Sequence, residues 1–554
     1  MRPLAWTRGM AVDGGKDPGS APWPRAYGVL LGGLCLLGIA LRLSCMVRPY
    51  WIDEAWVLNS VASASLDDMF HYRHWLQTTP PGLLLVLRGL YLALPQHLDD
   101  LRWLSVASAV ATLLSFAWLA RSLLGRGAAA LACAVFALSP TLVLYATELK
   151  QYSFDALAIT ASLVCGRLYI EQPSSARLWR WTLCATLGLT LSFSAAFNLP
   201  ALATVAVLVS DEARWRTRVR RLLPHVLLAA GTLAFVYLRY VHPHAGLESL
   251  RKFWATGFHA ADSGAVLYYW RHNVGLLFDF LHIDTTRLAV LVPCLLASAG
   301  GVLGLLLRAG PTPRARALGV LLAMPVLATL VANALGLYPL GLYRMVAFLA
   351  PALVLLLALG LEFLFGLPLR RYVRRTGQAC IDGLGAVAAL VMTVHLAASL
   401  NIGWWAPSRD GGALLWRANT EILPALDYLR EVDALGRPLF VHAVLEPVFR
   451  YYTRDAPLRA PVSFAGSGYP CCIPGRPWRG YLPVREEVSA EVAALEKRHG
   501  RRPFHVLLTA RPNWPSDDWV GAYSAEFAKR GCAVAWRYDS YRVVLLRVVC
   551  GATP

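Results

Sequence analysis

The sequence predicts a polytopic α-helical membrane protein of about eleven spanning helices, followed by a C-terminal soluble α/β domain. Three observations carry this. Hydrophobic residues make up 56% of the 554-residue chain and charged residues 16%, where a soluble protein carries about 25% charged residues. Apolar runs of spanning length alternate with short loops rich in arginine. Beyond position 405 the chain turns polar, and helical and strand-like patterns alternate. Mean hydropathy is +0.47. The formal charge of +19 would suggest a nucleic-acid partner in a soluble chain. Here the arginines gather between apolar runs, which is the signature of cytoplasmic loops and not of a nucleic-acid face.

Residues 1–26 are polar, rich in Gly and Pro, and basic (Arg2, Arg8, Lys16, Arg25). They read as a disordered cytoplasmic tail. The apolar run after Tyr27 is too long for a signal-peptide core and lacks a small-residue cleavage site, so it reads as an uncleaved first span, 27–47. Arg42 lies near its outer end, where the side chain can snorkel. A long outer loop, 48–100, contains His71, His74, Thr78-Thr79-Pro80-Pro81 and an apolar piece at 82–95. If that piece crossed the membrane, Arg121, Arg126 and every later arginine loop would flip to the outside. It is short for a span. A surface or re-entrant placement keeps the charge rule throughout.

The next spans follow from the same rule, at 101–120, 128–145, 153–170 and the tight pair 181–194 and 197–210. Arg214, Arg216, Arg218, Arg220 and Arg221 then mark the cytoplasmic side. Span 222–241 leads to a second outer loop, 242–287, with His242, His244, Lys252, His259, Asp262, Arg271, His272, His282 and Asp284. Spans 288–307, 317–335, 344–365 and 380–400 complete a transmembrane domain over 27–404. Their inner ends carry Arg308, Arg314, Arg316, Arg370, Arg371, Arg374 and Arg375.

The remainder, 405–554, reads as an extracytoplasmic α/β layer. Helical patterns fall at 419–435, 484–499 and 516–530, and strand-like runs at 438–443, 504–509, 532–538 and 541–548. Seven of the eleven cysteines lie in apolar spans and act as small hydrophobes. Cys471, Cys472, Cys532 and Cys550 lie in the polar part. A disulfide is permitted there if the domain faces an oxidising compartment, but the sequence does not choose the partners.

One stretch stands out chemically. Arg48-Pro-Tyr-Trp-Ile-Asp-Glu-Ala-Trp56 follows directly on the first span, so Asp53 and Glu54 stand where a membrane helix leaves the bilayer. Tyr50, Trp51 and Trp56 suit the headgroup zone. With Thr79-Pro80-Pro81 and Glu148-Leu149-Lys150-Gln151-Tyr152-Ser153-Phe154-Asp155, this stretch resembles the GT-C membrane glycosyltransferases. The likeness is to the group of protein mannosyltransferases, aminoarabinose transferases and Rgt-like enzymes, and it covers roughly residues 27–365. It implies a polyprenyl-phosphate sugar donor, inverting transfer on the outer face and a first-loop carboxylate as general base. Glu148 and Asp155 both remain open for the family's second acidic position.

Chemistry agrees with that implication. Carboxylates on the outer face are out of reach of cytoplasmic nucleotide sugars, so a donor must bring its own lipid and leaving group. A phosphate leaves without a proton. The site then needs a base for the acceptor hydroxyl and cations for the phosphate. Adjacent side chains cannot share one face of a helix or strand, so only one of the pair serves as base; Asp53 is assigned that role and Glu54 a supporting or acceptor-positioning one, with the reverse as the alternative. Lys150 is one of five lysines in a chain dominated by arginine. Lys150, Arg344 and Arg42 are the candidate donor-phosphate ligands. Glu148, Tyr152 and Asp155 are candidates for lining the donor and acceptor cleft, since a charge near the start of a span is costly unless paired or wet. The histidine spacings fit no ligand pattern, so no metal or other cofactor is assigned; a divalent ion is the open alternative. The acceptor could be a glycan, lipid or protein. A transporter or lipid flippase is the competing reading, but such proteins place charge at mid-membrane and often show matched halves, whereas here the charges gather at span ends. The expected location is the plasma (inner) membrane, N-terminus cytoplasmic.

Overall fold

The computed structural model describes residues 25–46, 49–71, 78–94, 98–210, 214–245, 247–258, 266–308, 313–341, 343–372, 377–400, 422–432, 436–465, 485–509, 519–540 and 543–551. The helices run in chain order α1 (Arg25–Ser44), α2 (Ile52–Val61), α3 (Leu66–Phe70), α4 (Pro81–Ala93), α5 (Arg102–Leu123), α6 (Arg126–Leu138) and α7 (Pro140–Thr147). Next come α8 (Tyr152–Glu171), α9 (Ser175–Leu191), α10 (Leu199–Leu208), α11 (Trp215–Val236), α12 (His242–Ala245), α13 (Glu248–Phe253) and α14 (Val266–Gly275). The bundle closes with α15 (Leu288–Arg308), α16 (Pro313–Ala334), α17 (Ala350–Tyr372) and α18 (Gly377–Ser399).

The chain is a multi-pass membrane protein. Among the described residues, eight helices are long and apolar enough to cross a membrane, and α6 with α7 makes a ninth bent by 49°. The expectation of about eleven spans also counts α9 and the Phe193–Leu208 segment, which fall below the usual length of about 20 residues. The piece at 82–95 is α4, only 13 residues long. Its Leu83, Leu84 and Leu87 pack into the outer core with α2. Close backbone approach holds the bundle where lipid offers no hydrophobic drive. A Cβ on Gly360 of α17 would fall on the Ala297 carbonyl of α15.

The break between α6 and α7 has a local cause. Pro140 has no N–H, so the Phe136 carbonyl loses its helical donor. Arg42 of α1 supplies replacements. Its guanidinium donates to Phe136 O at 3.2 Å, Ala137 O at 2.9 Å and Gly38 O at 2.9 Å. Its side chain is 2% exposed. The bend redirects the chain so that Glu148–Gln151 turns beside the first turn of α2 before α8 begins.

The C-terminal part contains α19 (Leu423–Val432), β1 (Leu439–His442), α20 (Glu446–Thr453), β2 (Val462–Ala465), α21 (Arg485–His499), β3 (Phe504–Thr509), α22 (Trp519–Lys529), β4 (Cys532–Ser540) and β5 (Val543–Cys550). The sheet order is β2-β1-β3-β5-β4. β1 lies parallel to β2 and β3, while β5 is antiparallel to β3 and β4. The expected helices and strands are present; α20 and β2 are additions that the sequence pattern did not reveal, being 8 and 4 residues long. Cys532 and Cys550 are opposite residues on β4 and β5 and form a disulfide. Cys471 and Cys472 lie outside the described residues.

Side-chain alternation along the strands sorts two cores. Phe504, Val506, Leu508, Val544, Leu546 and Val548 face α21 and α22. Leu439, Val441, Leu507, Val543 and Leu545 face the opposite way. That second face does not meet water. It merges with α19, α20, α2 and α4 into one continuous apolar cluster. The sheet domain and the segment between α1 and α5 therefore share a core.

Candidate active site

Asp53 and Glu54 occupy the first turn of α2, and the helix sends them to different partners. Consecutive residues on a helix diverge by about 100°. Glu54 is fully buried and Arg102 of α5 is 3% exposed. Arg102 Nη2 donates to Glu54 Oε1 and Oε2, both at 2.9 Å, and Nε donates to Oε1 at 3.1 Å. Leu149 N–H donates to the same Oε1 at 2.9 Å. Glu54 Oε2 accepts the Trp51 N–H at 3.4 Å, the return half of a capping box. The carboxylate thus ties α2, α5 and the 148–151 turn together. Arg102 also lies 4.1 Å from the Tyr50 ring centroid and donates to Met46 O at 2.7 Å.

Asp53 faces the other way. Its Oδ2 accepts from Arg344 Nη1 at 3.1 Å, with side chains 23% and 18% exposed respectively. Arg344 sits on a short 3₁₀ turn, Tyr343–Met345, just before α17. Its guanidinium is 5.5 Å from the ring centroid of Trp254, just after α13. Burial works against its charge, but Tyr152, Asp53, Tyr145 and Glu148 around it hold its pKa above the usual arginine value. Trp56 is one turn beyond Asp53 on the same helix face, and Lys150 Nζ lies 4.6 Å from its ring centroid. Both cations therefore flank the face of α2 that carries Asp53.

Glu148, Lys150, Tyr152 and Asp155 are 4%, 5%, 7% and 5% exposed. The Tyr152 ring meets Tyr145 edge-on at 5.2 Å, and Tyr145 lies 6.0 Å from Tyr343. Asp155 is one turn deeper in α8, within hydrogen-bond reach of Ser192, and its Oδ1 finds no partner among the described residues. Asn198, 2% exposed, likewise finds none there for either side-chain polar atom.

The structure thus gathers Asp53, Arg344, Tyr152 and Glu148 around one point and sets Lys150 beside it. Glu54 stands next to them but is locked into packing. Arg42 is committed to the carbonyls at the α6/α7 break. Of the loop histidines, His74 and His259 lie outside the described residues. Among the described residues no three His, Cys, Asp or Glu side chains converge as a metal site would require. Sequence reasoning missed Arg102, Trp254, Tyr145, Tyr343 and Asn198. Arg102 carried one faint signal, a cation opening a span directly after Asp99-Asp100. Nothing local tied it to a glutamate 48 positions earlier.

The fold is the one seen in solved ArnT structures. The chain is similar along nearly its whole length to crystal structures of ArnT from Cupriavidus metallidurans. The apo form aligns with a TM-score of 0.54 and 14% identity, covering 94% of this chain and 98% of that one. The form bound to undecaprenyl phosphate aligns with a TM-score of 0.52 and 15% identity over the same shares. At such identity the likeness establishes the fold. No family model and no curated protein matches the sequence.

Proposed function

We propose that this chain is an inverting glycosyltransferase that moves a sugar from a polyprenyl-phosphate donor to an acceptor hydroxyl on the outer face of the membrane. The observation that carries the reading is the Asp53–Arg344 pair. It is a partly accessible carboxylate held against a cation, among neighbouring polar groups (Glu148, Lys150, Tyr152) that are nearly all buried. The ArnT fold, which in one crystal structure holds undecaprenyl phosphate, supports a lipid-phosphate donor here.

The acceptor hydroxyl oxygen attacks the anomeric carbon from the side opposite the phosphate. The carbon–oxygen bond to phosphate breaks, and its electron pair leaves on the phosphate oxygen. The acceptor proton passes to Asp53. Before donor arrives, Arg344 neutralises Asp53. A donor phosphate competes for that guanidinium, which releases the carboxylate to act as base and places positive charge where the leaving group develops negative charge. Lys150 supplies a second cation, while Glu148, Tyr152 and Asp155 line the cleft. Glu54 holds the turn in register and takes no proton. No step requires a metal. The Cys532–Cys550 disulfide supports an oxidising, extracytoplasmic location for the sheet domain, and the reading sets the site on that same side of the plasma membrane with the N-terminus in the cytoplasm.

The test is transfer by the purified full chain from a panel of defined polyprenyl-phosphate sugars, with glycan, lipid and peptide acceptors. Product with inverted anomeric configuration from at least one donor is expected, and no turnover across the panel would remove the reading. Transfer by Asp53→Asn at the wild-type rate would remove the base assignment alone.

A further inference from the structure

We infer that the sheet domain is a working part of the transferase site, and that Tyr452 of α20 is the positioning residue through which it acts. The inference rests on the transferase reading for its catalytic meaning; its geometry stands independently. The Tyr50 N–H, two residues before α2, donates to the Tyr452 hydroxyl at 2.7 Å across 402 positions of sequence. The Tyr50 ring is met edge-on by Tyr451 at 5.3 Å, and Tyr451 in turn packs against Tyr452 at 4.8 Å. The opposite neighbour of Tyr50 is Arg102, 4.1 Å from its ring centroid. Arg102 grips Glu54, and Glu54 sits beside Asp53.

A chain of contacts therefore runs from the soluble domain to the base, using a hydrogen bond, a ring pair, a cation–π contact and a buried ion pair. The first turn of a helix is where such control matters. Its leading N–H groups have no intrahelical acceptors, so its direction is set by capping and flanking contacts. Tyr50 lies just upstream of that turn and is 4% exposed. A second contact, Asn59 Nδ2 to Pro447 O at 2.8 Å, joins the far half of α2 to the start of α20. The two helices pack side by side within the shared core. Tyr452 acts on the catalytic end of this contact and Asn59 on the other.

Transfer requires Asp53 within hydrogen-bond reach of the acceptor hydroxyl, and small misplacements of a base are costly. Donor binding depends on Arg344 and Lys150, which are not links in the chain of contacts from Tyr452 to Asp53. Loss of the Tyr452 hydroxyl is thus expected to lower kcat and leave the donor KM in place.

The experiment uses the full chain in lipid nanodiscs and two variants, Tyr452→Phe and Asn59→Ala. Hydrogen–deuterium exchange is followed on peptides covering 49–55, and kcat and KM are measured with the active donor. Tyr452→Phe removes one oxygen and keeps the ring in its core position. Its 49–55 exchange is expected to quicken about five- to tenfold, with sheet-strand exchange unchanged. Its kcat is expected to fall about tenfold at unchanged donor KM. Asn59→Ala is expected to leave 49–55 exchange as in wild type. Unchanged exchange in Tyr452→Phe overturns the inference, whether or not the protein transfers sugar. Equal loosening of 49–55 in both variants also overturns it, since the effect would then be general docking. If the wild type transfers sugar and Tyr452→Phe keeps its kcat, the catalytic link is overturned while the transferase reading survives. A wild type that transfers nothing refutes the enzyme and so the catalytic link.

Discussion

Two arginine–carboxylate pairs stand side by side at the start of α2, and they differ in almost everything but chemistry. Glu54–Arg102 is dry, multiply bonded and shared among three segments. Asp53–Arg344 is joined through one nitrogen, each side chain about a fifth exposed. A buried ion pair has lost its hydration on both sides, so breaking it leaves a stranded charge. A partly wet pair can exchange its partner for a ligand at small cost. The same two residue types therefore make a rivet in one case and an exchangeable pair in the other, the pair to which the proposed function gives the roles of base and anion ligand.

The largest expected effect separates the two pairs. Asp53→Asn is expected to fold normally and to lose about 10²- to 10⁴-fold in kcat, the usual worth of a positioned base. Steady-state transfer and a thermal unfolding curve on the same preparation check it. A variant that fails to fold would make Asp53 the rivet and erase the contrast.

Arg102→Ala should do the opposite. Stranding Glu54 is expected to cost about 3–5 kcal/mol of stability, read as lost monodisperse protein or a lowered melting temperature. Replacing the pair together, Arg102→Met with Glu54→Leu, is expected to recover much of that loss. Failure to recover would mean that the bonds to the Leu149 and Trp51 amides matter more than the charge.

Arg344→Lys sharpens the wet side. It keeps the charge and loses the planar fork. Donor KM is expected to rise about tenfold with folding intact, and an unchanged KM would take the phosphate away from Arg344.

The smallest effect concerns a third carboxylate nearby. Asp279 is raised above its usual value by burial, with the Thr141 hydroxyl, 3.2 Å from Oδ2, and His282 opposing the rise. Its folded pKa lies above the unfolded one. The stability it adds is therefore full below the ordinary carboxylate value of 3.8 and is lost as pH rises through the raised value. Asp279→Asn is expected to flatten that part of the stability–pH curve, as followed by unfolding midpoints across acidic pH. A curve identical to wild type would show that Asp279 is already well solvated.

Much of this molecule was legible before any coordinates. Apolar runs located the helices long enough to span, α1, α5, α8, α11 and α15 to α18 with the bent pair α6 and α7, because hydropathy and the membrane's length scale are local properties. The acidic pair was conspicuous for the same reason, sitting beside aromatic anchors at the mouth of the first span. The strands β3, β4 and β5 and helices α21 and α22 followed from their periods. The short elements α20 and β2 did not, since one turn-pair of helix and four strand residues carry too little pattern. Arg42 illustrates the limit well. Its place near a span end suggested snorkelling or phosphate contact, yet its task at the α6/α7 break depends on a proline 98 positions later.

The amino-acid order alone determined the apolar helices, the alternation of the sheet and the presence of two acids just beyond the first span, because each arises from residues close together in the chain. Only the tertiary structure decided which acid is locked and which is accessible, and that a tyrosine of the sheet domain reaches the start of α2. Those outcomes depend on partners 48, 291 and 402 positions away. Side chains so distant meet only when packing of the whole chain brings their helices together, and no local period records that meeting.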